Sequence, residues 1–373
     1  MDRRTFLTGA TIAATTVATA CGDTGQEGTN GVSSPAVNRG IRQLRMVTTW
    51  PANFPGLGTA ANNLAQYITS MSGGSLEVRV YAAGEIVSAF ESFDAVSTGT
   101  ADMYHGAEYY WQGKSAAFNF FTAVPLGMTA TEIMGWVEYG GGQALWDELS
   151  GQFNIKPFQA GNTGHQMGGW FKREINSLED FRGLRMRIPG LGGNVLRELG
   201  GAAVTLSGGE IYPALQSGTI DATEWVGPWN DLAFGFYREA PYYYGPGFHE
   251  PGSALGVGMN LDVWNSLEDD HKAIVQTACR AANNQSIAEF QLQNAVALNV
   301  LETEHGIELR SFTNEMWDRI GEISEQVVAD TANADAMTRR VYESYINARN
   351  QMRGWARVSE MPYMMQRERV LSR

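Results

Sequence analysis

From residue 41 onward, the spacing of apolar residues alternates between two periods. Segment 41–50 (IRQLRMVTTW) has apolar residues at every second position, which predicts a strand. Segment 57–72 (LGTAANNLAQYITSMS) has them three and four apart, which predicts an amphipathic helix. A strand at 75–84, a helix at 88–99 ending in glycine, and a strand beginning within 100–107 follow. This βαβαβ order predicts a parallel sheet covered by helices.

A second unit of the same kind lies between residues 167 and 225. The pattern predicts strands in 167–175 and 184–190, a short helix at 192–200, and a helix followed by a strand within 210–225. The phrase FDAVSTGTADM (93–103) resembles YPALQSGTIDA (212–222): each has a small apolar helix, a glycine suited to a left-handed cap, and an aspartate that opens a strand. The match predicts two lobes of related topology, with coincidence as the alternative.

Beyond residue 265 the pattern is mostly helical. A long helix is predicted up to about residue 305, a short strand in 306–313, and further helices in 315–333 and 337–361. The last helix carries large apolar residues that need a partner surface, either on the same chain or on a second subunit. These residues are Tyr342, Tyr345, Met352 and Trp355.

Composition narrows the class of protein. The 373 residues are 43% hydrophobic and 18% charged, which is typical of one large or two medium globular domains. The formal net charge of -13 argues against nucleic acid as a partner.

The first 42 residues have the features of export. Residues 1–21 resemble a twin-arginine signal: Arg3 and Arg4 precede a mild apolar run, and we expect a periplasmic location. Cys21 follows Ala20 as at a lipoprotein cleavage site, although a larger aliphatic residue is usual where Ala18 stands, so a lipid anchor stays open. Residues 22–42 are predicted to be a flexible linker.

An arginine at the end of a strand is the first candidate for ligand binding. In GLRMRIPG (183–190), Arg185 and Arg187 lie two apart and share one face of the predicted strand. Arg187 stands at the carboxyl end, where α/β lobes bind small ligands, and its planar fork suits a carboxylate. A surface salt bridge to Glu179 or Asp180 is the structural alternative.

Oxygen-bearing side chains among aromatic residues are the second candidate. Glu224 adjoins Trp225, Glu250 stands in YYYGPGFHEPG (242–252), and Gln166 offers a neutral oxygen. Such a set suits Na⁺, Ca²⁺ or Mg²⁺. The alternative is a core tryptophan with Glu224 as a helix cap. The five histidines have no zinc-binding spacing.

Motifs of the common enzyme classes are missing from the sequence. There is no GxSxG and no P-loop, and the glycine run at 56–61 lies too far from the preceding strand for a dinucleotide fingerprint. Several aromatic residues lie at predicted strand ends or in loops, where they line a ligand pocket or belong to the core. They are Trp50, Tyr104, Tyr109, Tyr110 and Trp111.

The phrases INSLEDFRGLRMRIPG (175–190), EIYPALQSGTIDATEW (210–225) and TADM (100–103) resemble the extracytoplasmic solute receptors of tripartite ATP-independent periplasmic (TRAP) transporters. The resemblance covers residues 43 to about 350. It implies a two-lobed α/β fold of the periplasmic-binding-protein type, with a long connecting helix and extra C-terminal helices. The implied lobes are 43–164 with about 253–290, and 165–252 with about 291–330. Residues 331–373 would form a dimerisation region.

AGNTGHQMGGWF (160–171), EWVGPWND (224–231) and YYYGPGFHEPG are most similar to receptors for 2-oxo and 2-hydroxy acids such as pyruvate or lactate. The resemblance implies that Arg187 pairs with the substrate carboxylate. It also implies that a metal cation, Na⁺ or Ca²⁺, binds the protein and the ligand together. The implied metal ligands are Gln166, Glu224, the Trp225 carbonyl and Glu250. The implied substrate contacts are Arg187, Gln166, Tyr104, Trp50 and Trp225.

Such a receptor binds its substrate without chemistry and delivers it to the membrane subunits of the transporter. Two other hypotheses remain at this point. One is an exported enzyme that acts on a small carboxylate. The other is a sensory receptor that is not coupled to transport.

Overall fold

A computed structural model describes residues 40–372. The predicted export signal and most of the predicted linker therefore lie outside the described residues. None of the helices in residues 40–372 combines the length and the apolar character that crossing a bilayer requires.

Two mixed sheets and twelve α-helices make up this part of the chain. The strands are β1 (Arg42–Thr48), β2 (Leu76–Tyr81), β3 (Met103–Gly106), β4 (Ile155–Asn162), β5 (Gly169–Phe171), β6 (Arg185–Arg187), β7 (Ala202–Val204), β8 (Ala222–Thr223), β9 (Tyr242–Tyr244), β10 (Ala254–Asn260) and β11 (Leu309–Arg310). The helices are α1 (Gly58–Met71), α2 (Ser92–Ser97), α3 (Ala130–Tyr139), α4 (Gly142–Gly151), α5 (Gly190–Glu198), α6 (Gly208–Gln216), α7 (Pro228–Phe234), α8 (Leu261–Asn265), α9 (Asp269–Thr303), α10 (Asn314–Thr331), α11 (Ala336–Ala356) and α12 (Glu360–Leu371).

The first sheet has the order β2-β1-β3-β10-β4. Strands β1, β2 and β3 are parallel, as their alternation with helices predicts. Strand β10 returns from the second half of the chain and runs antiparallel to both β3 and β4. The sheet is therefore mixed, and the sequence pattern predicted only its parallel part.

The second sheet has the order β11-β9-β5-β8-β6-β7. Strand β6 is parallel to β7 and β8, whereas β5 is antiparallel to β8 and β9. The first sheet takes its strands from segments 42–162 and 254–260, and the second from 169–244 and 309–310. The two sheets form the two lobes of the fold, and the exact lobe boundaries stay a prediction.

The two similar sequence phrases have the same local structure. In each, a helix ends, a glycine takes a left-handed conformation, and an aspartate precedes a strand. Asp102 accepts hydrogen bonds from the backbone and side-chain nitrogens of Arg45, and Asp221 does the same for Arg185. The capping glycines are Gly99 (φ 81) and Gly218 (φ 75). Arg185 thus pairs with Asp221 and not with Glu179 or Asp180.

Helix α9 is the long connecting helix that the resemblance implies. Its 35 residues extend for about 50 Å, at 1.5 Å per residue. It packs against α1 and β4 in the first lobe and against α7 in the second.

Helix α11 packs against the first lobe of its own chain. Tyr345 is buried next to Phe120 and Trp136, and its hydroxyl accepts a hydrogen bond from the backbone of Met128. Of the four large apolar residues predicted to need a partner surface, Tyr345 is buried on the same chain, Tyr342 and Met352 are half-buried, and Trp355 is 69% exposed. Helix α12 has no buried residue. Its exposed apolar side chains are Met361, Tyr363, Met364, Met365, Val370 and Leu371.

Candidate functional site

Four of the predicted site residues meet at one edge of the second sheet. Arg187 ends β6, and Glu224 directly follows β8, which runs parallel to β6. Gln166 precedes β5, which runs in the opposite direction, so its position falls at the same edge. Glu250 follows β9, which is antiparallel to β5. The topology of the sheet therefore brings together residues that are up to 84 positions apart in sequence.

Backbone hydrogen bonds fix these connecting segments to one another. The Glu224 amide donates to the Arg187 carbonyl at 3.1 Å, and the Gln166 amide donates to the Glu250 carbonyl at 3.1 Å. The segments that carry the site are thus hydrogen-bonded to one another at the end of a sheet, which favours a fixed geometry.

Arg187 is the centre of a buried polar network. Its guanidinium forms an ion pair with the Glu224 carboxylate, and both side chains are 1% exposed. It also donates to the carbonyl of Leu206 at 3.2 Å and to the Tyr110 hydroxyl at 3.4 Å. The guanidinium carbon lies 4.9 Å from the centre of the Trp225 ring. Burial is the largest influence and opposes its charge, but Glu224 together with Tyr110, Tyr109 and Glu250 raises the pKa of Arg187 overall, so the group stays cationic.

Two further groups lie beside Glu224. The His249 Nε2 atom is 3.3 Å from Glu224 Oε2. Burial alone would lower the pKa of His249, but the hydrogen bond and charge of Glu224 hold it above its ordinary value. Burial, together with the charge of Glu224, raises the pKa of Glu250 to about 7. Potential ligand atoms of Glu224, His249 and Glu250 all lie within 4.8 Å of one another.

This group has the donors that a hard cation needs. The Gln166 amide nitrogen donates to Thr163 Oγ1 at 3.0 Å, and its Oε1 atom is buried without a hydrogen bond. Glu250 Oε2 is also buried without a partner. Buried oxygens usually have partners, so these two orphaned atoms need an explanation, and a cation supplies one. The residues therefore fit the predicted metal.

A small cavity adjoins these residues where the carboxyl-terminal edge of the first sheet faces the site. Its empty volume is about 240 Å³. The lining residues are Trp50, Leu57, Ala107, Tyr109, Tyr110, Thr163, Gln166, Trp225, Val226, Ser253 and Leu255. That figure includes open solvent, and only about 10 Å³ of it can hold a water-sized molecule, so the walls of the cavity lie close together.

The structure brings together all but one of the predicted site residues. Trp50, Gln166 and Trp225 line the cavity, while Arg187, Glu224 and Glu250 form the adjoining network. Tyr104 is the exception. It is fully buried in the core of the first lobe, does not line the cavity, and donates its hydroxyl hydrogen to Glu108 Oε1 at 2.9 Å. The structure therefore does not bring Tyr104 together with the other predicted substrate contacts.

Tyr110 and His249 belong to the site but have no role in the sequence-based assignment. Tyr110 follows β3 at the cavity edge, and its hydroxyl contacts Arg187. His249 directly precedes Glu250 in an aromatic segment. This adjacency of two polar residues is the sequence feature that could have indicated His249 as a site residue.

Two α/β lobes meet around a small cavity with a buried network of charged side chains beside it, an arrangement typical of a solute-binding protein. The family description "bacterial extracellular solute-binding protein, family 7" matches residues 46–335. The chain belongs to this family and is a solute receptor of a TRAP transporter, not an enzyme.

Three relatives are particularly similar over most of their length. A monocarboxylate 2-oxoacid-binding periplasmic protein of Nostoc sp. is 39% identical over 97% of this chain and 98% of its own. A TRAP periplasmic solute-binding protein of Pseudoalteromonas atlantica, solved with sodium and pyruvate, is 39% identical with a TM-score of 0.85, covering 87% of this chain and 99% of its own. The corresponding protein of Colwellia psychrerythraea, solved with calcium and pyruvate, is 40% identical with a TM-score of 0.85 and the same coverage, 87% and 99%.

Proposed function

We propose that this receptor captures a 2-oxo or 2-hydroxy monocarboxylate, such as pyruvate or lactate, together with a metal cation and delivers it to the membrane subunits. The observation that carries the proposal is the buried Arg187 next to the oxygen donors of Glu224, Gln166 and Glu250. In such a site the Arg187 guanidinium can pair with the carboxylate of the substrate, while the oxygen donors bind a metal ion.

The proposed roles follow from the chemistry of each group. Arg187 pairs with the ligand carboxylate, because its side chain presents a planar fork of donors. Gln166, Glu224, the Trp225 carbonyl and Glu250 hold the cation, which also contacts a carboxylate oxygen and the 2-oxo or 2-hydroxy oxygen of the ligand. A carboxylate has about four lone-pair sites, so Glu224 can pair with Arg187 and still offer an oxygen to a metal.

The charge of the site favours a monocarboxylate. Within residues 40–372, Arg187 is the only buried lysine or arginine, so the site has one permanently cationic side chain for one carboxylate. With Ca²⁺ the site would carry +3 on Arg187 and the metal against -3 on two glutamates and the ligand, and with Na⁺ +2 against -3. Both cations fit the donor set, and the sum leans towards Ca²⁺.

Several features beyond the site remain part of the proposal. Residues 1–21 act as a twin-arginine export signal, with Cys21 as a lipid anchor if it is cleaved as a lipoprotein. The lobes comprise 43–164 with about 253–290, and 165–252 with about 291–330, which agrees with the strands of each sheet. The C-terminal region 331–373 forms a homodimer. The exposed apolar residues of α12 support this, because such a helix needs a covering surface.

Oligomeric state tests the dimer directly. We expect the mature chain to sediment as a dimer and a chain that ends at Arg357 to sediment as a soluble monomer. A full-length chain that sediments as a monomer would contradict the proposal.

Thermal shifts of the chelator-treated mature protein test the ligand. Pyruvate, lactate, longer 2-oxo acids and dicarboxylates are each added with and without Ca²⁺ or Na⁺. A ligand at one hundred times its dissociation constant stabilises the protein by about 2.7 kcal/mol, which raises the melting temperature by several degrees. We expect shifts with monocarboxylates that require the cation. Shifts with dicarboxylates alone would contradict the proposed substrate class.

A further inference from the structure

Asp231 is a buried carboxylate that the proposed binding mechanism does not use. It lies in the first turn of α7, is 1% exposed, and accepts three hydrogen bonds. Two come from side chains in the core of the second lobe, the Trp170 Nε1 at 3.0 Å and the Tyr243 hydroxyl at 2.9 Å. The third comes from the backbone amide of Val226 at 3.3 Å.

The Val226 peptide joins Asp231 to both segments that carry proposed metal ligands. Val226 directly follows Trp225, whose carbonyl belongs to the peptide unit that includes the Val226 amide. The Val226 carbonyl accepts a hydrogen bond from the amide of Met167 at 2.9 Å, and Met167 directly follows Gln166. The bond from the Val226 amide to Asp231 therefore sets the direction of the Trp225 carbonyl, which belongs to the same peptide unit. The Val226 carbonyl belongs to the next peptide unit and holds the segment of Gln166 through Met167.

The anchor behind this peptide is rigid. The rings of Trp170 and Tyr243 stack with their centres 3.9 Å apart and an angle of 12° between them, and both residues are fully buried. A carboxylate is costly in such surroundings, and burial raises the pKa of Asp231 to about 7 despite its three donors. The two buried side-chain donors both use Asp231 Oδ2, and the other oxygen, Oδ1, is left for the Val226 amide, which indicates that the carboxylate also fixes this peptide.

We propose that Asp231 is a positioning residue for the cation site, which acts by fixing the Val226 amide and so aiming the Trp225 carbonyl at the metal. The inference rests on the proposed function, because it assigns this carbonyl to the cation. Asp231 itself touches neither the cation nor the ligand. Its effect is therefore on the affinity for the cation and for the ligand that binds with it.

Two variants separate positioning from core stability. Asp231→Ala removes all three hydrogen bonds, including the bond to the Val226 amide. The control is the double variant Trp170→Phe with Tyr243→Phe, which removes the two side-chain donors and leaves the Val226 bond in place. We expect both to lower the melting temperature of the metal-free protein.

Calorimetric titration of pyruvate in the presence of Ca²⁺ then gives the decisive comparison. We expect Asp231→Ala to weaken binding of pyruvate by about tenfold or more, because it loses the hydrogen bond that orients the Trp225 carbonyl towards the metal. We expect the affinity of the control variant to stay within about threefold of wild type. Equal losses in both proteins, or near wild-type binding by Asp231→Ala, would overturn the inference. A wild-type protein that does not bind would instead refute the proposed function.

Amide hydrogen exchange gives a test that needs no ligand and no folded Asp231 variant. We expect the Val226 amide of the wild-type, metal-free protein to be strongly protected, and to keep this protection in the control variant. Rapid exchange at Val226 in the wild type would show that Asp231 does not hold this peptide, and would overturn the inference.

Discussion

Replacing Arg187 with methionine tests the central ion pair. Arg187→Met keeps much of the side-chain volume but removes the charge and the contacts to Leu206 and Tyr110. Among residues 40–372, it leaves Glu224 with His249 as its only remaining basic partner. Breaking a buried ion pair by removing one partner typically costs about 3–5 kcal/mol, because the remaining charge stays buried without compensation. Since domains are stable by only about 5–15 kcal/mol, the variant should be clearly destabilised.

A second variant separates stability from binding. Replacing both partners, with Arg187→Met and Glu224→Met together, removes the uncompensated charge, and buried pairs exchanged for apolar residues are often neutral or stabilising. We therefore expect the double variant to recover most of the lost free energy of unfolding. We do not expect it to recover binding, because both the carboxylate partner and a metal ligand are gone.

Urea unfolding of the metal-free proteins and calorimetric titration of pyruvate with Ca²⁺ give the two readouts. The account predicts a large loss of stability for Arg187→Met, recovery in the double variant, and no measurable binding by either. Wild-type affinity in Arg187→Met would refute the site. A loss of stability below about 1 kcal/mol would refute the argument from the buried ion pair.

Three further changes have distinct expected outcomes. Glu250→Gln should weaken cation-dependent binding of pyruvate by at least about tenfold, measured by calorimetry, while leaving Arg187 in place; unchanged Ca²⁺ dependence would remove Glu250 from the metal site. Tyr104→Phe should lower the free energy of unfolding by about 1–2 kcal/mol and leave pyruvate affinity within about twofold, and a larger loss of affinity would return Tyr104 to the site. Burial raises the pKa of Glu108 from its ordinary value of 4.5 to about 8, so its stabilising contribution is full below pH 4.5 and is lost as the pH rises to 8. Glu108→Gln lacks this titrating proton. Its free energy of unfolding in urea should therefore rise relative to that of wild type by up to about 1.4 kcal/mol per pH unit over that window, and parallel pH profiles would contradict the raised pKa of Glu108.

Local patterns predicted the parallel strands β1, β2 and β3 of the first lobe and β6 and β8 of the second, because amphipathic elements and their caps depend on nearby residues. The glycine caps at Gly99 and Gly218 are an example, since a left-handed position after a helix favours glycine at that one place. The short parallel strand β7 was not predicted. Strand β10 was not predicted, because all seven of its residues are buried and its sequence lacks the alternation of a half-exposed strand. Strand β4 was not predicted either, and it contains Pro157, a residue that is uncommon inside strands.

The site was predicted in part, and resemblance contributed more to it than spacing did. Arg187 is recognisable as a residue at the end of a strand, but its pairing with Glu224 depends on β6 and β8 being neighbours, which local sequence does not specify. Tyr104 shows the converse. Both Tyr104 and Tyr110 are tyrosines near the end of β3, and only the direction of each side chain decides which enters the core and which faces Arg187.

The central claim is that the chain binds one small monocarboxylate with a cation and leaves it chemically unchanged. Calorimetric titration of pyruvate into the chelator-treated mature protein, with and without Ca²⁺, tests it most directly, with the pyruvate recovered afterwards and checked by NMR. The account predicts about one pyruvate bound per chain, only when the cation is present, and pyruvate that is recovered intact. Binding of equal strength without any cation, no binding at all, or conversion of pyruvate would contradict it.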